Sequence, residues 1–253
     1  SSEIDCDRLD YLLRDSYNTG TKYGLVDLER IISALTFSPD GCIAIRPKGI
    51  IAIEHFLILR NIMYRTIYNH RINEICTWIL EKIFSKIKND FKKNIWIDNY
   101  LYKWIFSPNA LSFEEFLAVD DIRLNYHLSK WKDEAPRPIS TLCELFINRD
   151  LLKATNISFL SNIKKLELLA FARQKAESNN FDPALFCGIK EKKFNGFESN
   201  NSLKVWDNNL LKDLDNESEL IKTLMKSKEN SLIVYPKFLK KDILERILIL
   251  KNN

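Results

Sequence analysis

Apolar residues recur at the three- and four-residue spacing of an amphipathic helix through most of the first 155 residues. Leu9, Leu12 and Leu13 share one face of the first predicted helix. No Pro or Gly interrupts the apolar pattern between residues 50 and 88, which predicts one long helix there. Further helices are predicted to begin at Asp27 and at the capping box Ser112-x-x-Glu115, and to run over residues 120–131, 139–153, 160–178, 210–225 and 237–250.

Short β-branched runs interrupt this helical pattern. Residues 35–49 predict a small hairpin, with Pro39-Asp40-Gly41 as its turn and with Ile43 and Ile45 alternating. Residues 203–206 and 231–235 predict two further strands in the last third of the chain. The pattern therefore predicts a mainly α fold, with a helical domain over residues 1–155 and a smaller α+β lobe over residues 156–253.

Composition excludes several classes of protein. The chain has 253 residues, 45% of them hydrophobic, which is enough for a substantial core. No apolar run approaches the roughly 20 residues that cross a bilayer, so no membrane partner is predicted. The five cysteines are scattered without a C-x-x-C pair, which favours buried thiols in a reducing cytoplasm.

Net charge is only +4, so the sequence predicts no strong overall field. Lysines do cluster in the segments Lys82–Lys93, Lys190–Lys193 and Lys237–Lys241. Such clusters are usually solvated helix faces, and the alternative is a contact surface for nucleotides or nucleic acid.

Residues 5–15 carry the densest group of functional side chains. On the predicted helix, Arg8, Tyr11 and Asp15 form a stripe beside the leucine face, with Asp7 one turn from Tyr11. Carboxylate oxygens suit a hard metal ion, and Arg and Tyr donors suit phosphoryl oxygens. The alternative interpretation is a solvated amphipathic helix held by pairs such as Arg14 with Asp10.

A second group lies on the predicted long helix. Arg60, Tyr64, Tyr68 and Arg71 fall at spacings that place them on one face, beside an apolar face. A buried guanidinium needs polar partners, which a polyanionic substrate would supply. The alternative is that the tyrosines are ordinary core residues and the arginines pair with acidic side chains.

The run Asp-x-Asp-Arg-Leu-Asp-Tyr-Leu-Leu-Arg-Asp-Ser-Tyr-x-Thr-Gly, followed by Tyr-Gly and by Asp27-Leu-Glu-Arg, resembles the last metal-binding motif of HD-domain deoxynucleoside triphosphate triphosphohydrolases. The resemblance implies that residues 1–155 are the C-terminal portion of an HD-type helical core. In that family the other metal ligands, a His and a His-Asp pair, precede this motif. The three histidines of this chain all follow the motif and none precedes an Asp, so we expect a C-terminal fragment that is inactive alone.

The resemblance also implies roles for individual residues. Asp7 would be a ligand of a divalent metal (Mg, Mn or Fe), and the catalytic His would lie outside this chain. The expected substrate-binding residues are Arg8, Tyr11, Asp15, Arg60, Tyr68 and Asn69, and His70 and Arg71 would lie near an allosteric nucleotide. Arg8 stands where some relatives have Lys, so phosphate geometry is expected to differ.

The function implied is metal-dependent hydrolysis of a dNTP to a deoxynucleoside and triphosphate, by a cytoplasmic homo-oligomer. The alternative is an HD-fold nucleic-acid-binding or regulatory protein, or an HD nuclease or phosphodiesterase. A pocket for a triphosphate and a sugar would use Arg8, Tyr11, Asp15, Arg60 and Tyr68 together, which favours a nucleotide over a polymer.

Overall fold

The computed structural model describes residues 4–90, 95–194, 203–224 and 228–252, and these are mainly helical, as predicted. The helices are α1 (Cys6–Thr19), α2 (Leu28–Ala34), α3 (Ile50–Met63), α4 (Arg71–Asp90), α5 (Asn99–Phe106), α6 (Phe113–Leu117), α7 (Asp121–Glu134), α8 (Ile139–Ile147), α9 (Asn162–Glu177), α10 (Pro183–Phe186), α11 (Leu214–Glu217), α12 (Glu219–Leu224) and α13 (Lys240–Asn252). The strands are β1 (Leu35–Phe37), β2 (Ile43–Ile45), β3 (Lys153–Asn156), β4 (Gly188–Phe194), β5 (Lys204–Asp207), β6 (Leu210–Asp213) and β7 (Lys228–Tyr235).

The chain forms two compact units that are discontinuous in sequence. The first unit comprises Ser1–His70 and Lys192–Asn230, and the second comprises Arg71–Glu191 and Ser231–Asn253. The predicted boundary at residue 155 falls inside the second unit. The division into domains 1–155 and 156–253 stays a prediction.

Helix α1 of the first unit has well-defined ends. Asp5 caps its first turn by accepting a hydrogen bond from the backbone N–H of Arg8 at 2.9 Å. Gly20 ends the helix in the left-handed conformation, with φ of 68°, which a residue without Cβ adopts at no steric cost. Leu9 and Leu12 are buried, so the predicted leucine face is the face that packs into the core.

The first unit also contains a four-stranded sheet in the order β1-β2-β5-β6. The predicted hairpin is confirmed: β1 and β2 pair antiparallel, and Gly41 in the turn has φ of 77°. Ile43 is exposed and Ile45 is buried. Strand β5 joins β2 in parallel, with Val205 opposite Ile45, so a late segment completes an early sheet.

Two of the predicted helices are wrong in part, because strands β6 and β3 occupy some of their residues. Residues 210–213 form β6 instead of the start of a helix, because Asn208 and Asn209 both have positive φ, the geometry of a type I′ hairpin turn. The helix predicted over 139–153 ends at Ile147, and Lys153 already begins β3.

The long helix predicted over residues 50–88 is also interrupted. Helix α3 ends at Met63 and continues as a π-helical turn, Tyr64–Tyr68, in which the backbone N–H of Asn69 donates to the carbonyl of Tyr64 at 2.8 Å. Helix α4 begins only at Arg71. No Pro or Gly marks this break. A π-helical turn inserted into an α-helix is common at functional sites.

The second unit packs its helices around two buried clusters. One includes Trp78 and Trp131 of α4 and α7, and the other joins α9 and α13 to Tyr235 of β7. Its sheet has the order β3-β7-β4. The capping box at Ser112 and Glu115 is confirmed, as are the helices predicted after residues 120, 160 and 237.

Candidate functional site

The two motif-bearing helices of the first unit meet through a direct hydrogen bond. The hydroxyl of Tyr68 donates to the carboxylate of Asp15 at 2.7 Å, although the residues are 53 positions apart. Asp15 lies on α1 and Tyr68 ends the π-helical turn after α3. The contact brings together the two segments that the resemblance assigned to one substrate site.

Two further tyrosines, Tyr11 and Tyr64, lie beside this contact. The Tyr68 ring packs edge-on against Tyr64 and Tyr11, with ring centroids 5.0 and 5.9 Å away. The hydroxyls of Tyr11 and Tyr64 lie 3.5 Å apart. Tyr64 was not among the predicted substrate-binding residues. The sequence pointed to Tyr64 only through the helical spacing that it shares with Arg60 and Tyr68. An ordinary core tyrosine would show the same spacing.

Arg60 completes the cluster from the last turn of α3. Its side chain is buried, and its guanidinium carbon lies 5.5 Å from the centre of the Tyr64 ring. A cation over an aromatic face is electrostatically favourable. The four predicted residues Tyr11, Asp15, Arg60 and Tyr68 therefore lie together, with Tyr64 among them.

The cluster raises the pKa of two phenols. Burial raises the pKa of Tyr11 to about 12, helped by the Tyr64 hydroxyl and opposed by the Arg60 cation. Burial and the hydrogen bond to Asp15 raise the pKa of Tyr68 well above its ordinary value. Both hydroxyls stay protonated at neutral pH, and that of Tyr68 donates its proton to the Asp15 carboxylate.

We expect Tyr68→Phe to remove one late-titrating phenol from the tyrosinate absorbance of the folded protein. Because the pKa is raised on folding, the folded state holds the proton more tightly than the unfolded chain. The stability contributed by Tyr11 and Tyr68 is thus complete below the ordinary pKa of 10.0 and is lost as pH rises through the folded pKa. Tyr17→Phe is the control, because it removes an exposed phenol of the same helix α1. The same titration curve for both variants would contradict the assignment.

The first turn of α1 presents charge of both signs. A guanidinium nitrogen of Arg8 lies 3.4 Å from the carboxylate of Asp5, which also caps the helix. Asp7 is exposed in the same turn. One turn further, Arg14 pairs with Asp10 at 2.8 Å, and both side chains are well exposed. For Asp10 and Arg14, the structure therefore agrees with the alternative interpretation of a solvated helix surface held by ion pairs.

The residues present fit a metal ion only in part. Asp7 offers one exposed carboxylate, the ligand type that Mg, Mn and Fe accept. Within the four described ranges, no three His, Cys, Asp or Glu side chains are grouped closely enough to hold an ion. Asp7 fits as a single ligand, and the described residues alone do not make a metal centre.

The remaining predicted residues, Asn69, His70 and Arg71, lie where the π-helical turn ends and α4 begins. The side-chain carbonyl of Asn69 accepts a hydrogen bond from the ammonium of Lys192 at 2.7 Å, within the first unit. His70 is the last residue of the first part of that unit, and Arg71 opens α4 in the second unit. Both are exposed. Their role near an allosteric nucleotide stays a prediction.

The predicted basic clusters contain several paired lysines. Lys86 pairs with Asp90, Lys190 with Glu74, and Lys237 with Asp150 at 2.8 Å. Lys92, Lys93 and the side chain of Lys193 lie outside the described residues. Paired lysines favour the solvated-face interpretation over a nucleic-acid surface.

The chain matches a known family over part of its length. Residues 26–95 match the model of the HD associated region. The chain is 33% identical to the uncharacterized protein YwfO of Bacillus subtilis over 60% of its own length and 35% of that protein. It is 29% identical to the uncharacterized protein MG461 of Mycoplasma genitalium over 88% of its own length and 55% of that protein. The chain thus spans about a third to a half of these relatives.

The fold resembles that of a crystallised phosphohydrolase from Bacteroides thetaiotaomicron. The TM-score is 0.78 at 24% identity, over 94% of this chain and 62% of the other. The likeness supports the predicted HD-type helical fold with a small sheet lobe. The match over residues 26–95 is to a region that its family model describes as associated with HD domains. In the parts of the chain that the structure describes, every helix is too short or too polar to cross a bilayer.

Proposed function

We propose that this chain supplies the substrate-binding part of a metal-dependent HD-type phosphohydrolase that cleaves a dNTP to a deoxynucleoside and triphosphate. The observation that carries the proposal is the bond between Asp15 and Tyr68, inside a cluster that also holds Tyr11 and Arg60. The HD associated region match and the phosphohydrolase fold support the reaction class.

The cluster has suitable chemistry for a nucleoside triphosphate. Asp15 has two carboxylate oxygens, and Tyr68 uses one of them, so the other is available to accept the 3′-hydroxyl of a sugar. Arg60 and Arg8 carry the positive charge that phosphate oxygens require, and guanidinium binds such oxygens in a fork geometry. Fixed donors aimed at a phosphate chain stabilise the charge that develops during its cleavage.

Selectivity for deoxyribose is proposed to come from Tyr11. Its ring is held by Tyr68 and its hydroxyl by the neighbouring Tyr64, so the side chain is restrained on two sides. A rigid ring packed against the sugar would leave no room for a 2′-hydroxyl. A divalent metal, held in part by Asp7, would polarise the phosphate and activate water when bound.

The test is an assay of triphosphate release from each dNTP and each NTP, by the full-length protein that contains this chain. We expect hydrolysis of dNTPs that requires a divalent metal, with NTPs cleaved far more slowly. Cleavage of RNA or DNA, or tight binding of either without dNTP hydrolysis, would favour the alternative of a nuclease or a nucleic-acid-binding protein. Size-exclusion chromatography tests the predicted homo-oligomer in the same preparation.

Within that assay, we expect Asp15→Ala to lower kcat/KM about a hundredfold, because it removes a charged acceptor for the sugar hydroxyl. The matched control is Asp10→Ala, which removes an exposed carboxylate of the same helix that is paired with Arg14. The control should keep its activity. Equal losses in the two variants would show that α1 and not the Asp15 contact is responsible, and would contradict the assigned role.

A further inference from the structure

A cleft of about 560 Å³ lies in the second unit, and none of its lining residues belongs to the cluster of Tyr11, Asp15, Arg60, Tyr64 and Tyr68. One face of α9, the start of β4 and the ring of Trp78 line it. We call it the α9 cleft. Its volume is within the range of small-molecule sites in proteins.

The apolar wall of the α9 cleft is built around Trp78. The indole N–H donates to the carbonyl of Leu185 at 3.1 Å, which fixes the ring. Gly188 lets the ring approach the strand, because a Cβ at that position would lie 2.0 Å from the indole. Leu166 and Leu169 of α9 face the same space, and Leu166 is 64% exposed. Trp78 itself is buried, so the exposed leucine supplies most of the apolar surface that a planar group would meet.

Cationic side chains stand along the same helix face. Lys165 is buried, and its ammonium donates to the hydroxyl of Ser231 at 2.8 Å. The carboxylate of Glu191 lies 3.8 Å from that ammonium, beyond hydrogen-bond distance, on a side chain that is 68% exposed. An ammonium has three donors and a buried cation is costly unless its donors are used. Arg173, two turns further along α9, lines the cleft with a second cation.

Lys190 of the neighbouring strand β4 differs from Lys165 in having two carboxylates close to its ammonium. Lys190 lies 3.1 Å from the carboxylate of Glu74 and 3.7 Å from that of Glu81, so its charge is already balanced. Lys165 and Arg173 have no such pair of carboxylates among the described residues. The lining of the cleft therefore has two cations against the single carboxylate of Glu191.

We propose that the α9 cleft is a binding site for a small amphipathic anion, a planar apolar ring that carries a phosphate or a carboxylate. The ring would lie against Trp78, Leu166 and Leu169, and the acidic group would accept from Lys165 and Arg173. Asn162, in the first turn of α9, adds an amide at the edge of the cleft. The proposal is independent of the proposed phosphohydrolase activity.

The test is calorimetric titration of the full chain with four probes. Naphthyl phosphate and naphthoate carry both ring and charge, naphthol carries only the ring, and inorganic phosphate carries only the charge. We expect the stronger of the two ring anions to bind at least about tenfold more tightly than naphthol or inorganic phosphate, since charge and ring contribute together. The order of naphthyl phosphate and naphthoate identifies which acidic group the cleft prefers. Naphthol binding as tightly as both anions would overturn the proposal.

Variants locate the bound probe. Arg173→Gln should weaken binding of the preferred anion about tenfold. Lys175→Gln is the matched control, because it removes an exposed lysine of the same helix that lies outside the lining. Lys165→Met also removes a bond to Ser231, so its thermal unfolding is measured beside its affinity. Wild-type affinity in Arg173→Gln, or a loss caused by Asp15→Ala in the first unit, would place the probe elsewhere and overturn the proposal.

Discussion

Asp7→Ala is expected to abolish metal-dependent hydrolysis in the full-length protein, with a loss of at least about a thousandfold. The substitution removes the one carboxylate that the resemblance assigns to the metal. A metal ion that polarises a phosphoryl oxygen contributes several kcal/mol of transition-state stabilisation. Because Asp7 is exposed in the first turn of α1, its loss should leave the helix and its core contacts intact.

The measurement pairs turnover with direct binding of Mn²⁺ to the same protein. Asp10→Ala serves as the control, since Asp10 is also exposed, lies on the same helix and pairs with Arg14. We expect Asp7→Ala to lose both turnover and Mn²⁺ affinity, and Asp10→Ala to lose neither. Undiminished turnover in Asp7→Ala would remove the central claim of the proposed function.

Much of the candidate site was predictable from the sequence, because its residues come from only two helical segments: α1, and α3 with the π-helical turn that continues it. Periodicity alone placed Arg8, Tyr11 and Asp15 on one stripe of α1, and the leucine face was confirmed as the buried one. Such a pattern defines which side chains share a face, but not which other helix that face meets. The resemblance supplied that pairing, and the bond from Tyr68 to Asp15 agrees with it.

Other features depended on contacts that no local pattern contains. The parallel pairing of β2 with β5 joins Ile45 to Val205, and the sequence between them includes most of the second unit. The sequence indicated that each segment would form a strand, but it did not indicate which other strand each would pair with. This long-range pairing explains why the late segment belongs to the first unit, although its composition suggested a C-terminal lobe.

Two local misreadings have specific physical causes. Residues 210–213 have apolar side chains at spacings that also suit a helix. They form a strand instead, because Asn208 and Asn209 adopt positive φ and make a hairpin turn that pairs β6 with β5. The break after Tyr68 follows from a π-helical turn, which no residue type signals in advance. The same turn carries Tyr64 and Tyr68 at its two ends, so the irregularity lies within the candidate site.

Gly24→Ala is expected to destabilise the first unit by about 3 kcal/mol, the upper end of the usual cost of overpacking a core. A Cβ at Gly24 would lie 2.3 Å from the carbonyl oxygen of Leu12 and 2.5 Å from the Cβ of Ser16. Neither atom can give way cheaply, because Leu12 is completely buried and the Ser16 hydroxyl accepts from the Gly24 N–H at 3.0 Å. The same hydroxyl donates to the carbonyl of Thr21 at 2.7 Å, so the whole turn after α1 is tied to the helix.

Gly20→Ala is the matched control for this prediction. Gly20 has φ of 68° but open space around its Cβ position, so its substitution costs only the left-handed strain of about 1 kcal/mol. The measurement is the urea dependence of hydrogen exchange in peptides from α1, which reports on this unit separately from the other. Because Gly24→Ala shifts α1, it should also separate Asp15 from Tyr68 and lower the pKa of that phenol towards its ordinary value. A cost no greater than that of Gly20→Ala, with the Tyr68 titration unchanged, would show that α1 is not held by this close approach.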